Sequence, residues 1–199
     1  MDDPHLTYFC SSQFLDGCRK DGTDAGALLD LYLKAHNMFL DHLPEDLNMG
    51  IHLCRGNMSG STHWVSGSYD LIAEKLFTKT EYQNYYLEFD DTERQGGFDP
   101  LRFLPKGQNI VLGLVSTKRA ELESIDVIRR QVNEAAQVVA TAQGISKEEA
   151  KDCLALSPQC GFSSSSLEGG KDMSMERMWE KLMLVRDAAR DIWQDTSRL

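Results

Sequence analysis

The chain has 199 residues, 41% hydrophobic and 26% charged, which suits one soluble globular domain with room for a real core. Its 21 Lys and Arg against 31 Asp and Glu leave a net charge of −10, so nucleic acid and anionic membrane are poor partners. No apolar run approaches the roughly 20 residues of a membrane span. The start, Met1-Asp2-Asp3-Pro4-His5, has neither the basic residues nor the apolar stretch of an export signal, so a cytoplasmic chain is expected. Cys10, Cys18, Cys54, Cys153 and Cys160 are scattered and odd in number. They read as reduced thiols, some of them candidate metal ligands, rather than a disulfide framework.

In chain order, Asp2-Asp3-Pro4 looks like the end of a strand with nothing before it. A helix is expected over 27–43, with Leu28, Leu31, Tyr32, Ala35, Met38, Phe39 and Leu43 at spacings of three and four. The run 49–54 is strand-like, 69–77 a short helix, and 85–89 and 110–115 two further strands. A long helix over 122–142 carries Ile125, Ile128, Val132, Ala135, Ala136, Val139 and Ala142, and Gly144 stops it. Ser146 and Glu149 form a capping-box pair, and 153–157 is the fourth clear strand. Beyond the serine run 163–166, a last helix spans 175–193 with Ser174 as N-cap. Its expected apolar face is Met178, Trp179, Leu182, Val185, Ala189 and Ile192.

Strands alternating with helices predict an α/β fold with a parallel sheet. A closed βα-barrel takes eight strands and about 250 residues, so this chain supplies about five units of one.

Candidate chemistry collects at strand ends. His52 and Cys54 lie two apart, so imidazole and thiol face the same side at the carboxyl end of their strand. Glu88 closes the next strand, and Cys160 follows the last one. One imidazole, two thiols and a carboxylate suit zinc. With two thiolates and a carboxylate the complex is a weak Lewis acid for water, yet it can hold a further thiolate. An incoming thiol there loses its proton near neutral pH and becomes a nucleophile, displacing Glu88 if that ligand is labile. The plainer reading is that the cysteines are small buried hydrophobes and the histidine is merely hydrogen-bonded.

Cys153, at the wrong end of its strand, reads as packing, and Cys10 and Cys18 get no role. His63-Trp64 either lines a pocket or is exposed, with exposure favoured. Lys118 faces substrate or is a solvated loop lysine. Asp90, Asp91, Glu93 and Arg94 read as a solvent-facing charged loop. Gly96-Gly97 and Pro105-Lys106-Gly107 are turns. There is no phosphate-loop, dinucleotide or Ser-His-Asp signature.

The segments Ile51-His52-Leu53-Cys54-Arg55-Gly56-Asn57, Leu87-Glu88-Phe89-Asp90-Asp91, Leu112-Gly113-Leu114-Val115-Ser116-Thr117-Lys118 and Leu156-Ser157-Pro158-Gln159-Cys160-Gly161-Phe162 resemble the C-terminal catalytic barrel of cobalamin-independent methionine synthase. They are most similar to the short, single-barrel relatives of that enzyme. The resemblance covers nearly all of residues 1–199, in order. It implies a partial (β/α)8 barrel with zinc held by His52, Cys54, Glu88 and Cys160. It also implies methyl transfer from 5-methyltetrahydrofolate, in polyglutamate form, to the zinc-bound thiolate of homocysteine. Asp2 matches the aspartate of the family's Asp-(Asp/Glu)-Pro motif, which holds the homocysteine amino group.

The sequence departs from the family in two places. It begins at the Asp-Asp-Pro motif, without the first three strands. Where the full-length enzymes carry an Asp-x-His acid it reads Ser116-Thr117-Lys118, a change the short relatives share. Three readings follow: a zinc-dependent methyltransferase for homocysteine or another thiol, an inactive barrel remnant, and a purely structural zinc site. An open barrel exposes unpaired strand edges, so self-association or a partner chain to complete it is expected.

Overall fold

The structure, a computed structural model, describes residues 1–56, 63–162 and 173–194. Asn57 of the loop after His52 and Cys54, and the serine run 163–166, lie outside the described residues. A 3-10 turn at His5–Cys10 is followed by α1 (Ser12–Asp21), α2 (Ala25–Leu40) and β1 (Gly50–Leu53). A second 3-10 turn, Tyr69–Leu71, and α3 (Ala73–Lys79) precede β2 (Asn84–Glu88). Next come α4 (Thr92–Gln95), a 3-10 turn at Asp99–Phe103 and β3 (Asn109–Val115). Then α5 (Ile125–Gln143) and α6 (Lys147–Lys151) lead to β4 (Leu154–Pro158) and α7 (Met175–Trp193).

The four strands form one parallel sheet in the order β1-β2-β3-β4, the expected α/β arrangement. Alternation along each strand divides the sheet into two unlike faces. On one, Ile51, Tyr85 and Ile110 pair in register and are fully buried with Leu53, Leu87 and Leu112. These side chains share a core with Leu33, Phe77, Ile128, Val132 and Val139 from the helices. Each such buried side chain contributes about 1.5–3 kcal/mol. On the other face His52, Tyr86, Val111 and Ala155 share a row; Tyr86 is 40% exposed and Ala155 is also exposed. Parallel sheets ordinarily have both faces covered.

The expected clipped strand is a single parallel bridge, Asp2 to His52. The Asp3 N–H donates to the His52 carbonyl at 2.9 Å and the His52 N–H to the Met1 carbonyl at 2.8 Å. Asp3 is pinned from the side, because its carboxylate meets His36 Nε2 at 2.8 Å while His36 Nδ1 meets the Tyr82 hydroxyl at 2.7 Å.

Several helix expectations need correction. The expected helix over 69–77 is broken at Ile72 (φ −123°), where the 3-10 turn capped by Ser68 gives way to α3. The helix expected over 27–43 begins earlier, because the Asp24 carboxylate accepts from the Gly26 and Ala27 N–H groups. Its buried face is Leu29, Leu33 and His36, leaving Leu31, Met38 and Phe39 exposed. The polar contacts of His36 rotate the inward face away from the purely apolar stripe. In α7 the fully buried side chains are Ala188 and, unexpectedly, Lys181, which is bonded to the Glu121 carbonyl and the Glu123 carboxylate, while Trp179 is exposed. The long helix starts at Ile125, and Leu122 and Ala142 are exposed. Gly144 ends it in the left-handed region at φ 65°, and the Ser146–Glu149 capping box is present. Among the described residues no helix is long and apolar enough to cross a membrane.

Candidate metal centre

β1 places His52 on the open face of the sheet and ends just before Cys54, which turns into the loop at the carboxyl end. β2 ends on Glu88, and β4 runs out two residues before Cys160. The four side chains come together: one ligand atom from each of His52, Cys54, Glu88 and Cys160 lies within 4.8 Å of the others. The two sulfurs are 3.5 Å apart and both thiols are free. A tetrahedral ion about 2.3 Å from each sulfur sets them about 3.8 Å apart, close to the spacing found.

The polar atoms around the cluster also suit a cation. His52 Nδ1 lies 3.1 Å from the Tyr86 carbonyl oxygen, which only accepts, so Nδ1 carries the proton and Nε2 a lone pair. His52 Nε2 and Glu88 Oε2 are buried and make no hydrogen bond among the described residues. Such atoms are costly unless something else satisfies them. Cys54 Sγ accepts from the Gly56 N–H at 3.3 Å and Glu88 Oε1 from the Arg55 N–H at 3.2 Å.

Electrostatics reflect this crowding. The Cys160 hydrogen bond, with help from His52 and the Gly56 N–H, pulls the Cys54 thiol down to about 4 against burial. The Cys54 thiolate in turn raises Cys160. Burial raises the Glu88 carboxyl, opposed by Arg94. Burial alone lowers His52, but Cys54, Glu88 and Asp2 outweigh it and leave the imidazole raised. A cavity of about 230 Å³ opens beside the cluster, lined by His52, Tyr86, Leu87, Pro158, Gln159 and Cys160.

The surrounding loops differ from expectation. In the charged loop Glu93 is exposed as expected, but Arg94 turns inward: it is 5% exposed, 2.7 Å from Asp90 and 3.6 Å from Glu88. Asp91 caps α4 and so turns Arg94 inward. Lys118 is half-buried, and its Nζ donates to the Gly56 carbonyl, tying the end of β3 to the loop after β1. His63 and Trp64 are exposed. Asp2 is exposed at the edge of the cluster; burial and Cys54 raise its carboxyl while His52 lowers it. Cys153 packs at the wrong end, donating to the Ala150 carbonyl, and burial pushes the Cys10 thiol up to about 11. Sequence reasoning placed Arg94 in solvent and did not single out Gln159 or the Asp3–His36–Tyr82 chain. Gln159 had one signal, its place directly before Cys160.

No family model matches the chain. Among curated proteins it is 38% identical over 195 residues to the uncharacterized protein YxjH of Bacillus subtilis (strain 168) and 37% identical to YxjG of the same organism. Each match takes in 98% of this chain and 48% of the relative, so the chain spans about half the length of the proteins it matches. Among solved structures, a candidate vitamin-B12-independent methionine synthase from Listeria monocytogenes superposes with a TM-score of 0.69 and 28% identity. That match covers 98% of this chain and 48% of the other. A B12-independent methionine synthase from Shewanella sp. W3-18-1, in complex with selenomethionine, superposes with a TM-score of 0.62 at 15% identity. It covers 100% of this chain and 49% of the other, and at that identity it speaks to the fold. The chain thus shares an α/β fold with methionine-synthase-like structures, and its residues 52, 54, 88 and 160 converge on one point.

Proposed function

We propose that this chain carries the thiol-activating part of a zinc-dependent methyltransferase of the cobalamin-independent methionine synthase type. The reaction moves the methyl group of 5-methyltetrahydrofolate, in polyglutamate form, to homocysteine and yields methionine. The carrying observation is the convergence of His52, Cys54, Glu88 and Cys160 with two of their polar atoms buried and unsatisfied. A zinc ion held there supplies a centre that keeps an acceptor sulfur ionised at neutral pH.

The rest is done by the chain. The Tyr86 carbonyl fixes the His52 tautomer, so Nε2 faces the cluster. The Gly56 N–H stabilises the charge on Cys54, and Arg94 offsets that on Glu88. Asp2, tied by its backbone bridge to His52, would receive the amino group of the acceptor. The cavity beside Cys160 gives the acceptor a way in. A cytoplasmic setting fits free thiols kept reduced.

The sheet belongs, in this reading, to the C-terminal part of a βα-barrel spanning residues 1–199. The open face carrying Tyr86 and Ala155 favours a second reading for the isolated chain: a remnant that holds zinc and turns over only when a partner chain or second copy completes the barrel. The experiment is zinc content and oligomeric state of the purified chain, followed by homocysteine titration. The proposal expects one zinc per chain, lost in Cys54→Ser and Cys160→Ser, and about one proton released per homocysteine bound. Unchanged zinc in both variants refutes the ligand set. Zinc without any thiol response leaves a structural site, and response only in a complex supports the remnant.

A further inference from the structure

β3 lies between the strand that ends on Glu88 and the strand that leads to Cys160. Opposite Glu88 on β3 is Gly113. A Cβ there meets the Gln159 Cα at 2.9 Å and the Leu87 carbonyl at 3.0 Å, so the backbone at 159 approaches this closely only because residue 113 is glycine. The sheet register shifts here, and the Gln159 N–H donates to the Val115 carbonyl at 2.8 Å. The consequence is that Gln159 turns into the protein rather than out of it, 1% exposed.

Its orientation is fixed. Gln159 Oε1 accepts from the Thr117 N–H at 3.1 Å and from the Thr117 hydroxyl at 2.8 Å. Two donors on one atom identify that atom as the oxygen, so the amide cannot be flipped. The other end, Nε2, is buried and makes no hydrogen bond among the described residues; the same holds for Glu88 Oε2, whose residue is fully buried. Glu88 pairs with Gly113 and the Gln159 backbone packs on that same glycine, so the two side chains are neighbours and the amide helps favour the ionised carboxylate. A buried donor and a buried acceptor thus flank Gly113, each with an atom that closes no full hydrogen bond among the described residues.

We propose that Gln159 is a positioning residue: its Nε2 receives the Glu88 carboxylate when an acceptor sulfur takes that carboxylate's place at the metal. This rests on the methyltransferase reading above. With a metal held by His52, Cys54 and Cys160, an arriving thiol would give its proton to water and take the place of the Glu88 carboxylate. One anion would replace another, so the exchange needs no change in the charge supplied by the chain around the site. The released carboxylate stays charged in a dry place and needs donors there. Arg94 at 3.6 Å supplies one side and Gln159 the other. Thr117 keeps the amide turned the right way.

The test separates the metal from the thiol. Zinc affinity is read by chelator competition, and homocysteine affinity by the thiolate absorption of the cobalt-loaded full chain. In Gln159→Leu, zinc should bind as tightly as before or more so, because Glu88 has lost its alternative. Homocysteine should bind more weakly by on the order of tenfold to a hundredfold, the worth of one hydrogen bond to a charged group. Thr117→Val should shift homocysteine affinity in the same direction by less, and it decides the matter if Gln159→Leu does not fold. Homocysteine affinity unchanged in the variants overturns the proposal. So does a parallel loss of zinc and homocysteine, which marks a structural role. If the unaltered chain shows no thiol response, the methyltransferase reading falls, and this inference with it.

Discussion

The two ends of the sheet treat their polar groups in opposite ways. At the amino end the amides satisfy one another: Asn109 Nδ2 donates to Asn84 Oδ1 at 3.0 Å, Asn84 Nδ2 to Asn48, and the Met49 N–H to Gln83 Oε1 at 3.0 Å. Among the described residues Gln108 Oε1 is the exception there. At the carboxyl end His52 Nε2, Glu88 Oε2, Gln159 Nε2 and Arg94 Nε are all left buried without a hydrogen bond. A closed ladder of amides is a stability device. A cluster of incomplete donors and acceptors costs stability and makes sense where a ligand completes it.

The largest effects should separate these ends. Cys54→Ser or Cys160→Ser should weaken zinc binding by on the order of a hundredfold or more, seen by chelator competition. Asn84→Ala, at the other end, should leave zinc affinity unchanged and lower unfolding stability by about 1 kcal/mol in urea melts. If Asn84→Ala strips zinc as well, the ends are not distinct. Gly113→Ala lies where the two influences meet. Its methyl group collides with backbone, so unfolding stability should fall by about 1–3 kcal/mol, with homocysteine affinity falling too.

A smaller effect concerns pH. Burial opposes ionisation of Asp3, but the hydrogen bonds to His36 and the His5 N–H win, and its carboxyl is held below the usual aspartate value of 3.8. A depressed folded-state pKa gives stability that is present above the unfolded value and lost as pH falls through the folded one. The melting temperature of the unaltered chain should therefore exceed that of Asp3→Asn at about pH 6, and the gap should narrow below about pH 4. A gap constant with pH removes the carboxylate from the account of how Asp2 is held beside His52.

The strands were legible because each is a short apolar run closed by a polar turn, and His52, Cys54, Glu88 and Cys160 because each sits where such a run ends. The faces of α2 and α7 were not. Hydrophobic spacing does not reveal that His36 goes inward to bridge Asp3 and Tyr82, nor that Lys181 is buried on Glu123. Arg94 was misread for the same reason, since its burial depends on Asp90 and Glu88 rather than on neighbouring hydrophobicity. The clamp on Gln159 comes from Thr117, 42 residues away, and no local pattern reports it.

The central claim is that four side chains from three strand ends hold one zinc ion. X-ray absorption at the zinc edge of the loaded chain tests it directly. The account predicts two sulfur ligands at about 2.3 Å and two nitrogen or oxygen ligands at about 2.0–2.2 Å, with one sulfur lost in Cys160→Ser. A spectrum of nitrogen and oxygen ligands alone, or one unaltered by Cys160→Ser, contradicts it.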